Sequence, residues 1–162
     1  MVGLKLLGRA PYVLAAIAAL SGCDAGGAAV GRAILTPPSQ MDAETRAAFD
    51  ALPLMGSGIQ LSLCRHISDN IYHRVAADIP LYTQALEKRG LSSREASLIL
   101  AGDYGTGMTW RGLSCLEGAA PQINASFYPG VGHQWQAVLP GPAFVYLRGD
   151  GTPAGMKVYA WN

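Results

Sequence analysis

The side chains able to do chemistry in this sequence are few. His66, Asp69, Asn70 and His73 are spaced by three, one and three, which on a helix places all four along one stripe. Two imidazoles and a carboxylate so arranged could ligate a metal ion and support hydrolysis. No HExxH-type arrangement accompanies them, and no third histidine is near in sequence. The favoured reading of the stripe is therefore a solvated helix face with an Asp–His pair. His133 opens a strand beside Gln134, and a thiol–imidazole pair would need it near a free Cys64 or Cys115. Ser62, Ser114 and Ser126 lack the strand–turn–helix setting of a nucleophile elbow. Tyr104-Gly105-Thr106-Gly107 has the glycines of a phosphate loop but no lysine in the Walker spacing, so it reads as a turn. Neither a cofactor nor a catalytic residue is assigned.

Cys23 has a different chemistry. Lys5 and Arg9 form a short positive region, and Ala10 to Leu20 is apolar apart from Pro11. This is the layout of an export signal over residues 1–22, and the apolar run falls short of the roughly 20 residues that span a bilayer. Leu20-Ser21-Gly22-Cys23 resembles the bacterial lipobox. That resemblance implies a diacylglyceryl group on the Cys23 thiol, cleavage before it, and a membrane anchor facing the periplasm. Two or three acyl chains, at about 0.8 kcal/mol per buried methylene, hold such a protein firmly. Asp24 resembles the inner-membrane retention signal of enteric lipoproteins, with the outer membrane as the alternative destination.

Export bears on the remaining thiols. Cys64 and Cys115 match no zinc spacing, and in an oxidising compartment a pair of this kind is expected to form a disulfide.

Of the 162 residues, 50% are apolar and 14% charged, the composition of a globular chain. Removing residues 1–22 leaves ten basic and eleven acidic side chains, so no strongly basic face for nucleic acid is expected.

The elements that position these residues follow from periodicity and punctuation. Residues 23–41 are expected to be the cysteine that the lipobox resemblance implies is lipidated, followed by a stretch whose Ala, Gly and Pro37-Pro38 predict a flexible tether. A helix is expected from Asp42 with Ala43, Ala47, Ala48 and Leu52 on one side, ended by Pro53. Ile59, Leu63, Ile67, Ile71 and Val75 recur every four residues and predict a long helix with Cys64 beside the stripe. Pro80 opens a short helix closed by Gly90, and Ser92 with Glu95 forms a capping box for the next, which ends at Gly102. Thr109 caps a short helix from Trp110 to Glu117. Four strand-like runs follow, at 123–128, 133–139, 143–148 and 156–161, separated by Pro–Gly and Gly–Asp–Gly turns. The expected fold is α+β, with N-terminal helices, then a short helix and a four-stranded antiparallel meander.

Strand alternation predicts a core face of Ile123, Ala125, Phe127, Trp135, Ala137, Leu139, Val145, Leu147, Met156, Val158 and Ala160. The opposite face carries Tyr128, Gln134, Gln136, Phe144, Tyr146, Arg148, Lys157, Tyr159 and Trp161. Its Tyr, Phe, Trp and Arg are residue types suited to an interface, with Tyr128, Phe144, Tyr146, Tyr159 and Trp161 the expected contacts.

From about Tyr104 to the end, the order of features resembles the small bacterial lipoproteins of the SmpA/OmlA (BamE-like) family. The pieces are Gly107-Met108-Thr109 opening a helix, Gly118 through Pro121, Gln134-Trp135, Phe144 to Leu147, Gly149-Asp150-Gly151 and the closing Val158 to Trp161. The expected domain is a single α+β unit over 42–162, in which 42–102 is helical by its periodicity and outside the usual core of that family. The resemblance implies a BamE-like 103–162 and an envelope-assembly setting. The expected function is a membrane-anchored, non-catalytic interaction module with an envelope protein partner, docking through the aromatic face. Its rivals are a periplasmic metal-dependent hydrolase using His66, Asp69 and His73, and a binding protein resembling secreted inhibitors.

Overall fold

A computed structural model describes residues 27–33, 35–56, 61–70, 75–139, 144–152 and 155–162. The export signal, Cys23, Ile59, Ile71 and His73 lie outside them. Within them, a helical segment over 27–33 and five further helices precede a four-stranded sheet. The five are α1 (Ala43–Ala51), α2 (Leu63–Asp69), α3 (Ile79–Glu87), α4 (Ser93–Ala101) and α5 (Trp110–Leu116), followed by β1 (Gln122–Tyr128), β2 (Gly132–Val138), β3 (Phe144–Arg148) and β4 (Lys157–Trp161). The α+β class and the order of elements agree with the reading of the sequence.

Local chemistry sets most helix boundaries. The Asp42 carboxylate accepts the Thr45 N–H at 2.7 Å and starts α1. At the other end of α1, Arg89 donates to the Leu52 and Asp50 carbonyls at 2.8 and 2.9 Å, satisfying acceptors that the helix leaves open. Pro80 lies in the first turn of α3, and Gly90 follows that helix at φ 87°. Ser92 and Glu95 complete a capping box on α4, and Gly102 closes it in the left-handed region. Thr109 accepts the Gly112 N–H at 3.1 Å and starts α5.

Two expected segments differ. The tether expected over 23–41 is helical over 27–33, with a 3-10 turn at Pro38–Gln40. Ala33 is fully buried in the core, and Arg32 pairs with Glu44 at 2.9 Å, because small side chains on that segment allow close approach to α1. The long helix expected from Ile59 to Val75 is the seven-residue α2. The Ser62 hydroxyl caps it by accepting the Arg65 N–H, and the N–H groups of Leu63 and Cys64 donate to Pro53 and Leu54 carbonyls. Asn70 closes the other end by donating its side-chain amide to the His66 carbonyl at 2.7 Å. Val75, expected on the apolar stripe, is 44% exposed in a turn.

The strands pair antiparallel in the order β1-β2-β3-β4. The segment before α5 runs along the free side of β4: Gly107 donates to Val158, Val158 to Met108, and Trp110 to Met156, at 2.7 to 3.1 Å. One edge of the sheet is thereby covered, while β1 forms the other. Ala137, Leu139, Val145, Leu147, Met156 and Val158 join Phe49, Leu63, Ile67, Leu86, Ile99 and Leu113 in one buried cluster. Cys64 on α2 and Cys115 on α5 form a disulfide at its centre, with Cα atoms 4.7 Å apart and neither residue exposed.

Candidate docking surface

Residues directly opposite on antiparallel strands share a face. The pairs Ala137↔Val145 and Leu147↔Val158 therefore define the face turned to the helices, and both pairs are buried. Gln136↔Tyr146, Val138↔Phe144 and Arg148↔Lys157 define the other face, whose residues are half-buried or exposed. On it the Tyr146 and Tyr159 rings lie 6.2 Å apart and tilted, and the Arg148 guanidinium stacks 4.0 Å over Tyr159. Such a stack holds a cation and two phenol hydroxyls in place without burying them, a suitable anchor for a polar, aromatic contact. Phe144 continues the patch along β3, and Tyr128, half exposed, stands on the same face at the far end of β1.

Trp161, expected on this face, is on the other. The register shifts between Tyr146 and Leu147: Leu147 faces Val158, whereas Tyr146 faces Ala160, so Tyr159 is the extra residue of a bulge. Beyond it the alternation inverts. Trp161 now opposes Val145 and lies 6.4 Å from the Tyr104 ring, on the helix side, while Ala160, expected in the core, opposes Tyr146. Phe127 and Ala125 are also corrected. Both were expected in the core and are exposed, Phe127 by 64%, because the helical layer does not extend beneath the outer part of the β1–β2 hairpin.

Of the candidate metal stripe, His66, Asp69 and Asn70 are taken up by other contacts. His66 is buried, not on a solvated face; its Nε2 lies 2.9 Å from the Tyr82 hydroxyl, and its ring meets Phe49 edge-on. Asp69 is exposed, with both carboxylate oxygens engaged by the Arg65 guanidinium. His73 lies outside the described residues, among which no group of three potential ligands converges. His133 is exposed between Phe127 and Trp135, while both sulfurs it might have joined are bridged in the core.

The expected capping box of Ser92 and Glu95 has a second half that escaped the reading of the sequence, a link from Glu95 to Thr109. Glu95 Oε2 accepts from the Ser92 N–H and hydroxyl at 3.1 and 2.8 Å, and its Oε1 accepts from the Thr109 N–H and hydroxyl at 2.9 and 2.6 Å. A single carboxylate thus ties the starts of α4 and α5 together. Burial pushes its pKa up, but the Thr109 and Ser92 donors outweigh that and hold it below its ordinary value. The signal available in the sequence was Gly112, a costly residue in a helix, placed where a Cβ would stand 2.7 Å from Glu95 Oε1.

Comparison with family models, with curated proteins and with solved structures returned no match.

Proposed function

We propose that this chain is a membrane-anchored envelope lipoprotein whose folded domain is a non-catalytic interaction module that docks a protein partner through the outer face of its sheet. The observation that supports it most is the Phe144, Tyr146, Arg148 and Tyr159 patch, an aromatic and cationic surface on the side of the sheet away from the helices. Anchoring rests on Leu20 to Cys23 and the export signal before it. In this reading a lipid on Cys23 is the means of attachment; among the described residues no helix is long and apolar enough to cross a membrane. The order of features that resembles the BamE-like lipoproteins points to the same envelope setting.

Two results are expected. A fatty-acid probe should label the full chain, and Cys23→Ala should abolish that labelling; equal labelling of the variant would remove the anchor. Tyr146→Ala should weaken partner capture by about thirtyfold, the equivalent of 2 kcal/mol, as for a central interface aromatic. Its stability should change by no more than about 1 kcal/mol, because the side chain is half-exposed and loses one aromatic pair. Leu147→Ala, its neighbour on the buried face, should instead cost about 2–5 kcal/mol. Capture unchanged by Tyr146→Ala would place the binding surface elsewhere.

A further inference from the structure

The β1–β2 hairpin is built unlike the rest of the molecule. Residues 118–147 contain no Asp, Glu, Lys or Arg, although 14% of the chain is charged. The hairpin's end is apolar on both sides: Phe127 is 64% exposed toward the helix side, Tyr128 is 50% exposed toward the outer face, and Val131 in the turn is 59% exposed. The turn itself is tight. Val131 donates its N–H to the Tyr128 carbonyl at 3.0 Å across Pro129-Gly130, with Gly130 at the φ of 84° that a type II turn requires. Behind the tip, the rings of Phe127, His133 and Trp135 follow one another at 5.1 and 5.8 Å.

We infer that the tip of this hairpin inserts into the interface of the lipid bilayer that carries the anchor. The inference rests on the lipidation of Cys23 proposed above. Only residues 24–26 separate Cys23 from residue 27, which is helical and leads into the buried Ala29 and Ala33. Four steps of at most about 3.6 Å place the start of the folded domain within about 14 Å of a lipidated sulfur-bearing residue. The domain therefore stays against the bilayer, and some part of its surface must meet it. An uncharged wedge with apolar side chains on both faces suits a fluid medium that surrounds it, whereas a flat protein interface would use one face. Tyr and Trp favour the headgroup level, where an apolar body and a polar tip are both satisfied. Depth is limited by the backbone. The tip is internally hydrogen-bonded, but β1 is a sheet edge with unpaired groups along its outer side, which the wet interface tolerates and the hydrocarbon core does not.

The test uses the full chain, purified with its lipid and reconstituted in phosphatidylethanolamine–phosphatidylglycerol vesicles with or without acyl-brominated lipid. Val131→Trp reports on the tip and Lys157→Trp on the outer sheet face, each read as the added emission over the parent protein. The tip reporter should be quenched about twofold by bromine, as for a ring held about 5–10 Å into the headgroup and acyl boundary, and the sheet reporter should be unaffected. Phe127→Asp combined with Val131→Trp should abolish the quenching. A tip reporter as unquenched as the sheet reporter overturns the insertion, including the case in which the hairpin binds a protein. Quenching of both reporters also overturns it, by laying the sheet face on the membrane. The mass of the purified chain separates the two readings: without a diacylglyceryl adduct on Cys23 the anchor itself fails, whereas an adduct with an unquenched tip sinks the hairpin alone.

Discussion

Removing the Cys64–Cys115 bridge should lower the stability of the domain by about 4 kcal/mol, the loop-closure entropy expected for a crosslink across 51 residues. The bridge joins α2, whose first two residues donate to the Pro53 and Leu54 carbonyls, to α5, whose Trp110 donates to Met156 just before β4. Without it, the early helices reach the sheet-bearing half through packing and through α3 and α4, where Arg89 holds carbonyls at the end of α1 and Glu95 holds Thr109. Cys64→Ala with Cys115→Ala also removes two sulfur atoms from positions that are fully buried, so the packing loss adds to the entropic one. Urea unfolding is the direct measurement. With a slope near 2 kcal/mol/M, the midpoint should fall by about 2 M in the double variant. The parent protein in reductant, which keeps its sulfur atoms, should show the entropic part of that fall, with the double variant falling further. Alkylation without reductant should leave both cysteines of the folded parent unmodified. Full alkylation of both, or equal midpoints with and without reductant, would mean that the bridge does not form.

The elements best read from the sequence are those whose ends are chemically specified within a few residues. Asp42, Ser92 with Glu95, and Thr109 each cap the helix expected of them, and the glycines at 90, 102 and 118 close their helices with positive φ. The meander was legible for the same reason, since Pro–Gly and Gly–Asp–Gly breaks bound each strand. Periodicity alone was less reliable. The four-residue repeat from Ile59 to Val75 fits a long helix, but backbone donors at Leu63 and Cys64 find partners at 53 and 54, and that pairing is non-local. His66 illustrates the same limit. Its spacing matched a polar stripe, whereas its burial depends on Phe49 and Tyr82 from two other helices.

The outer sheet face was legible only as far as the alternation ran unbroken. Phe144, Tyr146, Arg148 and Tyr159 follow it. Trp161 does not, because one extra residue in β4 reverses every side chain after it. A bulge at Tyr159 carries no glycine or proline to announce it. The exposed hairpin was misread in a different way: alternation marks which residues share a face, but not whether anything covers that face.

Replacing Glu95 should be the most damaging single polar substitution in the described residues. Glu95→Ala would leave the Thr109 and Ser92 donors without their acceptor in a buried site and uncouple α4 from α5, a loss of about 3–5 kcal/mol. Glu95→Gln tests the chemistry more finely. Each carboxylate oxygen accepts an N–H and a hydroxyl, so whichever way the amide is turned, its NH2 faces a backbone donor, and about 1–3 kcal/mol should be lost. The pH dependence has a definite sign. The folded pKa lies below the ordinary 4.5, so this carboxylate stabilises the fold above that value and the contribution disappears as pH falls through the depressed one. Asp42 and Asp150 are also held low by their Thr45 and Thr152 hydrogen bonds, and they steepen the acid side in parent and variant alike. The difference between parent and Glu95→Gln therefore isolates Glu95: large at neutral pH, shrinking below about pH 4.5. Gly112 supplies an independent arm. Ala there should favour the helix by about 1 kcal/mol, but its Cβ would fall 2.7 Å from Glu95 Oε1 and 3.0 Å from Met108 Cγ, so Gly112→Ala should destabilise the parent. In the Glu95→Ala background most of that penalty should vanish, because the nearest obstructing atom is gone. Additive losses in that double-mutant cycle would show that Gly112 is required for some reason other than making room for the carboxylate.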